Sequence, residues 1–211
     1  MRTAVWFISA ACAYLLGGLN TAIVFSKLIY HEDIRTRGSG NPGFTNFKRV
    51  YGGRYAWAVF ACDILKAVLP CLVFGWAFAV CGYGRQTGIA FTCLFSVTGH
   101  CFPVWYGFRG GKGFLVAVTS VFFIDWRAGL VAAGVLVLLL LYPGFMSAAS
   151  LSALTTGAAM LFVFGAELPA AVLFAVSTLI VILRHGENIK RLFSGTEDRF
   201  RLGRKKDGTE K

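Results

Sequence analysis

The chain has 211 residues, of which 56% are hydrophobic, with a mean hydropathy of +0.65 and a formal net charge of +11. So apolar a chain of this length excludes a soluble globular domain, and its uncharged runs read as membrane spans. Excess Lys and Arg in a membrane protein first serve orientation and contact with anionic lipid, so nucleic acid is excluded as a partner.

The first apolar run covers residues 4–30, with only Arg2 ahead of it and no small-residue cleavage site behind it, and is expected to be a retained span. Gly17 and Gly18 permit close helix packing, and a lone intramembrane amide such as Asn20 usually bonds a neighbouring helix. His31, Glu32, Asp33, Arg35 and Arg37 mark the exit into water. The loop GSGNPGFTNFKR, residues 38–49, follows. Gly38, Gly40 and Gly43 satisfy GxGxxG, but no strand precedes them and no βαβ unit fits between two spans, so a dinucleotide is not implied. Backbone donors, the polar side chains Ser39, Asn41, Thr45 and Asn46, and the cations Lys48 and Arg49 suit a small, hydroxylated anion. Without other support the stretch is also a capped turn before a helix.

The second span, residues 55–80, carries Asp63 and Lys66 on one helix face, where an unpaired charge in lipid costs at least ~2.5–3.5 kcal/mol. The two are expected to pair or to face a polar interior, with a structural role favoured over a catalytic one. Pro70 removes the helical partner of the Lys66 carbonyl, and a kink is expected there. The third span, 87–103, leads into GHCFPVWYGFRGGKGF, residues 99–114, where glycines and the cations Arg109 and Lys112 make an anion-holding loop. It is not a Walker A loop, since Tyr106 and Gly113 stand where that motif needs Gly and Ser or Thr. Taken alone it is equally a glycine-rich turn with cations at the lipid headgroups.

Residues 113–142 are interrupted by Asp125 and Arg127 and are too few for the roughly 40 residues of two full spans. A short helix starting at Gly113 would aim its N-terminal dipole at the GGKG loop. After Pro143 and Gly144, residues 145–164 and 168–183 complete about seven transmembrane helices, some short, in an all-α membrane protein. Parity puts the glycine-rich loops, the 143–147 turn and the C-terminus on one face, with every Lys and Arg except Arg2, Lys66, Arg85 and Arg127. By the positive-inside rule that face is cytoplasmic.

HGENIKRLFSGTE, residues 185–197, lies just beyond the last span, and on a helix His185 shares a face with Asn188. A histidine here can act as an acid, a base or a hydrogen-bond donor, or be an ordinary juxtamembrane residue. A single membrane domain, residues 1–198, is expected, followed by a basic disordered tail, 199–211, that meets anionic lipid. The six cysteines show no CxxC spacing and read as small hydrophobes, and the three histidines are isolated, so neither metal nor cofactor is expected.

The three polar stretches, in this order and topology, resemble the integral-membrane, acyl-phosphate-dependent glycerol-3-phosphate acyltransferases of bacteria over nearly the whole chain, and DILKA at 63–67 looks like that family's second helix. Phe44, Phe114, Leu115 and Gly186 depart from the family pattern. The resemblance implies transfer of a long acyl chain from acyl phosphate to the 1-hydroxyl of glycerol 3-phosphate, the first acylation in phospholipid synthesis, in the bacterial inner membrane. It implies direct attack without an acyl-enzyme, substrate phosphate helping to take the proton, and an enzyme that makes acyl phosphate as a partner. Carried onto matching positions, the catalytic set is Ser39, Arg49, Lys112, His185 and Asn188. Substrate binding falls to Asn41, Gly43, Thr45, Asn46, Gly110, Gly111, Gly113 and Ser147, with the three glycines cradling a phosphate. No HxxxxD pair is present, which disfavours a His/Asp-activated hydroxyl acting on a thioester. The rival reading is a small organic-phosphate transporter, which would more naturally show repeated halves and a site at the bilayer midplane.

Overall fold

Polar residues inside apolar runs decide where the helices break. Asn20 has an extended backbone, φ −86° and ψ 102°, and its Oδ1 accepts the Ile23 N–H at 3.1 Å, so it caps a new helix. The computed structural model describes residues 2–200 and shows helices and turns but no strand among them. The first expected span is two helices, α1 (Ala4–Gly18) and α2 (Thr21–Tyr30), which together make a 27-residue candidate crossing. There follow α3 (Phe44–Tyr51), α4 (Gly53–Val80), α5 (Arg85–Cys101), α6 (Phe114–Ile124), α7 (Trp126–Leu141), α8 (Met146–Val163), α9 (Leu168–Arg184) and α10 (Gly186–Phe193).

Each expected span is helical. By length and composition, Ala4–Tyr30, Gly53–Val80, Arg85–Tyr106 and Met146–Val163 can each cross a membrane, whereas α6 and α7 are shorter and α9 meets α10 at a 61° bend. The outward faces of α4, α7 and α9 expose Leu69, Trp76, Leu138, Leu141 and Leu183, as lipid contact requires. α4 stays helical through Pro70.

α5 is the axis of the bundle, with α1, α4, α6 and α9 packed around it. Small residues make this possible: a Cβ on Gly99 would strike the Tyr14 carbonyl, and one on Gly17 would strike the Ser96 carbonyl, so α1 and α5 meet backbone to backbone. Asp125 explains the short helices. Its carboxylate accepts the Arg127 N–H at 2.8 Å and pairs with the Arg127 guanidinium at 2.7 Å, which ends α6 and starts α7. With 11 residues, α6 rises about 16 Å, roughly half the hydrocarbon thickness. Its beginning is sunk: Gly113 lies against Val97 and Cys101, so α6 starts about one turn below the end of α5.

The opposite ends are tied. Glu167 accepts from the Thr87 N–H at 2.9 Å and donates its own N–H to Gln86 at 2.8 Å, while Gln86 donates to the Ile124 carbonyl at 3.0 Å. Of the expected tail, residues 201–211 lie outside the described residues. Phe200 donates its N–H to the Gly144 carbonyl at 2.7 Å, and Arg199 lies over the Phe145 ring.

Candidate active site

The loop between α2 and α3 is shaped from within. Asn46 is buried, accepts the Ser39 N–H at 2.9 Å and donates to the Arg37 carbonyl at 3.0 Å. Its amide is therefore spent on the loop, and its contribution to the cavity is to hold Ser39 in place. Gly38, at φ +57°, lies so close to the Asn46 amide oxygen that a Cβ would collide with it. Asn20 reaches the same loop from α1–α2 and donates to the Pro42 carbonyl at 3.0 Å, so the intramembrane amide bonds a loop. Arg49, on the last turn of α3, pairs with Asp198 at 3.3 Å.

The glycine loop is clamped differently from the expectation. The Gly110 and Gly111 N–H groups donate to the Cys101 and His100 carbonyls at 3.2 and 3.0 Å, so they are not presented to a ligand. Arg184 donates to the carbonyls of both glycines at 3.2 and 3.3 Å, and Arg35, itself held by Asp33 at 2.7 Å, donates to the Tyr106 carbonyl at 2.9 Å. Glycine is needed because the loop folds back onto α5: a Cβ at 110 would meet the His100 carbonyl, and one at 111 the His100 ring. The donors that remain lie just beyond. Gly113, at φ +82°, caps α6, whose first internal bond runs from the Ala117 N–H to the Gly113 carbonyl. The N–H groups of the first turn before it point out of the helix end.

The third stretch supplies a hub that the candidate set omitted. Glu197 accepts from Ser147 Oγ and Asn188 Nδ2, each at 2.6 Å, and from Arg191 Nε at 2.8 Å. Asn188 then turns its Oδ1 to the Lys112 ammonium. With an acceptor on one side and a donor on the other, the Asn188 amide has one orientation. His185 is buried at the α9–α10 bend, and its Nδ1 lies 2.8 Å from the Val181 carbonyl. A carbonyl only accepts, so the Nδ1 carries the proton and Nε2 keeps a lone pair. Glu197 was legible as an acid at the end of a run that also holds Glu187, Lys190 and Arg191, and Asn20 as a lone intramembrane amide; Arg184 and Arg35 carried no local signal for the glycine loop.

Burial lowers the Lys112 ammonium to about 8; Glu197 opposes this, while Arg191, Arg184 and Arg49 reinforce it. For Glu197, burial pushes upward, but hydrogen bonds from Ser147, Asn188 and Arg191 outweigh it and leave the carboxyl below its ordinary range.

All three stretches open on one cavity of about 1480 Å³. Ser39, Asn41, Gly43, Thr45, Asn46, Arg49, Lys112, Gly113, Ser147, His185 and Asn188 line it, and Gly110 and Gly111 do not. The polar chamber continues into an apolar groove along α4, α6 and α7, lined by Val68, Leu115, Val118, Phe122 and Leu136. Phe44, one of the departures from the family pattern, packs on Trp57 and Phe60 at the groove's mouth, with ring centroids 5.2 Å apart in each case. No cluster of three or more metal-ligating side chains occurs among the described residues.

A family model described as glycerol-3-phosphate acyltransferase matches residues 7–195. A glycerol-3-phosphate acyltransferase of Aquifex aeolicus is 40% identical over 191 residues, 89% of this chain and 95% of the relative. One from a Thermoanaerobacter species is 35% identical over 198 residues, 94% and 96% of the two chains. Among solved structures, the glycerol 3-phosphate form of PlsY (YgiH), an integral membrane glycerol 3-phosphate acyltransferase, is similar with a TM-score of 0.84 and 36% identity, covering 93% of this chain and 96% of that one. Its lysophosphatidic acid form is similar with a TM-score of 0.81, 36% identity and coverages of 93% and 95%.

Proposed function

The chain belongs to the glycerol-3-phosphate acyltransferase family, and we propose that it acylates the 1-hydroxyl of glycerol 3-phosphate with a long chain taken from an acyl phosphate. The observation that carries this reading is the single cavity that joins a cationic chamber to an apolar groove between helices. Glycerol 3-phosphate and acyl phosphate both bring phosphate to Arg49, Lys112 and the start of α6, and the acyl chain belongs in the groove. The hydroxyl oxygen attacks the acyl carbon, the bond from that carbon to the phosphate oxygen breaks, and inorganic phosphate leaves. The hydroxyl proton passes to a substrate phosphate.

In this reading Ser39 and Arg49 hold glycerol 3-phosphate, with Asn41, Gly43 and Thr45 around it, and Lys112 and Gly113 hold the departing phosphate. The His185 Nε2 lone pair accepts the hydrogen bond of the attacking hydroxyl and orients it. Asn188 aims Lys112 directly, Glu197 and Ser147 hold Asn188 in turn, and Gly110 and Gly111 act by letting the loop close on α5. The reaction face lies in the cytoplasm, a reading supported by the distribution of Lys and Arg, and an acyl-phosphate-forming enzyme supplies the donor in the inner membrane. Residues 1–198 act as one domain.

The test uses purified protein in detergent with glycerol 3-phosphate and either long-chain acyl phosphate or the matching acyl-CoA. Lysophosphatidate and phosphate released in equal amounts from acyl phosphate alone is the expected result. Product from acyl-CoA alone would overturn the donor assignment. No product from either, with glycerol 3-phosphate accumulating in sealed vesicles, would make the protein a transporter.

A further inference from the structure

His100 is the one histidine of the cavity that the reading above leaves without a role. It sits near the C-terminal end of α5, only 5% exposed, and lines the cavity together with Asp63. Its Nδ1 lies 2.8 Å from the Lys66 ammonium. An ammonium has no lone pair and can only donate, so Nδ1 accepts and the ring proton sits on Nε2. Lys66 is committed to this geometry: its other contacts are Asp63 at 2.8 Å and the Leu19 carbonyl at 3.2 Å, and Asp63 is held in turn by the Thr21 hydroxyl at 3.1 Å. Three acceptors occupy the three N–H groups of Lys66. The other tautomer would place an N–H against a cation, and a turned ring would place a C–H there, so either change loses the acceptor.

The opposite edge of the ring carries the Nε2–H. It lies against Gly111, where a Cβ would collide with it, and it has no hydrogen-bond partner among the described residues. It is not sealed off either, because Thr178 Oγ1 is the only described side-chain polar atom that is both fully buried and unpartnered. Asp63 and His100 line the same cavity as the polar Lys112 and Gly113 and the apolar Ile64, Val68 and Leu115; along the chain Asp63 directly precedes Ile64, and the His100 ring lies against Gly111, the neighbour of Lys112. In an acyl donor, the group between its polar head and its chain is the carbonyl.

We propose that His100 is a catalytic residue whose Nε2–H donates to the acyl carbonyl oxygen and stabilises the negative charge that grows on it, with Lys66 and Asp63 fixing the required tautomer. The inference rests on the cavity being the acyl-transfer site, and it holds for any donor with a carbonyl at that point. His185 and His100 would then face one reaction centre in opposite tautomers, one accepting and one donating.

Two substitutions separate this role from a structural one. The Asn oxygen of His100→Asn keeps an acceptor for Lys66 but has nothing at the Nε2 position, whereas the amide nitrogen of His100→Gln reaches that position. The expected result is a folded His100→Asn protein whose kcat falls by about 100-fold, with KM for glycerol 3-phosphate unchanged, and partial recovery in His100→Gln. His100→Asn within twofold of the wild-type kcat would overturn the inference, while an inactive wild-type protein would overturn the underlying functional reading instead. A wild-type measurement covers the case in which neither variant folds. In protein carrying ¹⁵N-histidine, an acyl phosphonate should shift the Nε2–H signal of His100, and an alkyl phosphate of the same chain length, which lacks the carbonyl, should not. Equal responses to the two ligands would also overturn it.

Discussion

Two lysines within one cavity's reach show how the same side chain is made structural in one place and chemical in another. Lys66 lies in the middle of α4, touches the carboxylate of Asp63 at 2.8 Å and gives its remaining N–H groups to His100 and the Leu19 carbonyl. Lys112 also has a carboxylate near it, but Glu197 is taken up by Ser147, Asn188 and Arg191, and the partner of Lys112 among the described residues is the neutral Asn188. Lys66 is saturated; Lys112 keeps charge and donors for a ligand. What separates them is the placement of the nearby acid, since both lysines are largely buried.

The largest effect expected from this contrast is on stability. Lys66→Met leaves the Asp63 carboxylate buried without its cation, which costs about 3–5 kcal/mol. The melting temperature in detergent should drop sharply, and Lys66→Met with Asp63→Asn should recover most of it because both charges are then gone. A single variant that melts like the wild type would erase the distinction between the two lysines. Lys112→Ala should do the reverse. No buried acid is left unpaired, so melting stays close to the wild type, while turnover falls by about 10²–10³-fold through loss of charge stabilisation. Retention of near-normal turnover would remove Lys112 from the site.

A pH profile sharpens the comparison further. Lys112 is cationic below its pKa of about 8 and neutral above it, and only the cation attracts phosphate. kcat/KM should therefore be level on the acid side of that value and fall as pH rises through it, by about tenfold per unit once the lysine is neutral. Lys112→Arg, which keeps its charge throughout, should show whatever activity it retains without that fall. The smallest effect concerns Arg49, which spends part of its charge on Asp198 across an exposed pair. Asp198→Ala should lower KM for glycerol 3-phosphate by about two- to fivefold, within the range of a surface ion pair. An increase in KM would mean that Asp198 positions Arg49 for the substrate.

The pairing of Asp63 with Lys66 was legible as one of two outcomes, the other being a polar interior, because both partners lie on one helix at a spacing of three and an unpaired charge in lipid is costly. The shortness of α6 was legible for a similar reason, since Asp125 and Arg127 interrupt an apolar run too brief for two crossings. The glycine loop was only half legible. Its cations and its small residues announce an anion site, and the cavity does include Lys112 and Gly113. That Gly110 and Gly111 give their N–H groups to α5 depends on the loop folding back by a turn, which no local pattern encodes.

By itself the sequence determined an all-helical membrane protein, the order of three polar stretches between its spans, and the family to which those stretches belong. Apolar length and local spacing are properties of the chain in one dimension, and lipid enforces them directly. Tertiary structure alone decided which donors are used up and which remain: Glu197 as the hub of Ser147, Asn188 and Arg191, Arg184 on the glycine loop, and the opposite tautomers of His100 and His185. A hydrogen bond commits an atom only when its partner arrives, and several of these partners come from helices far apart along the chain.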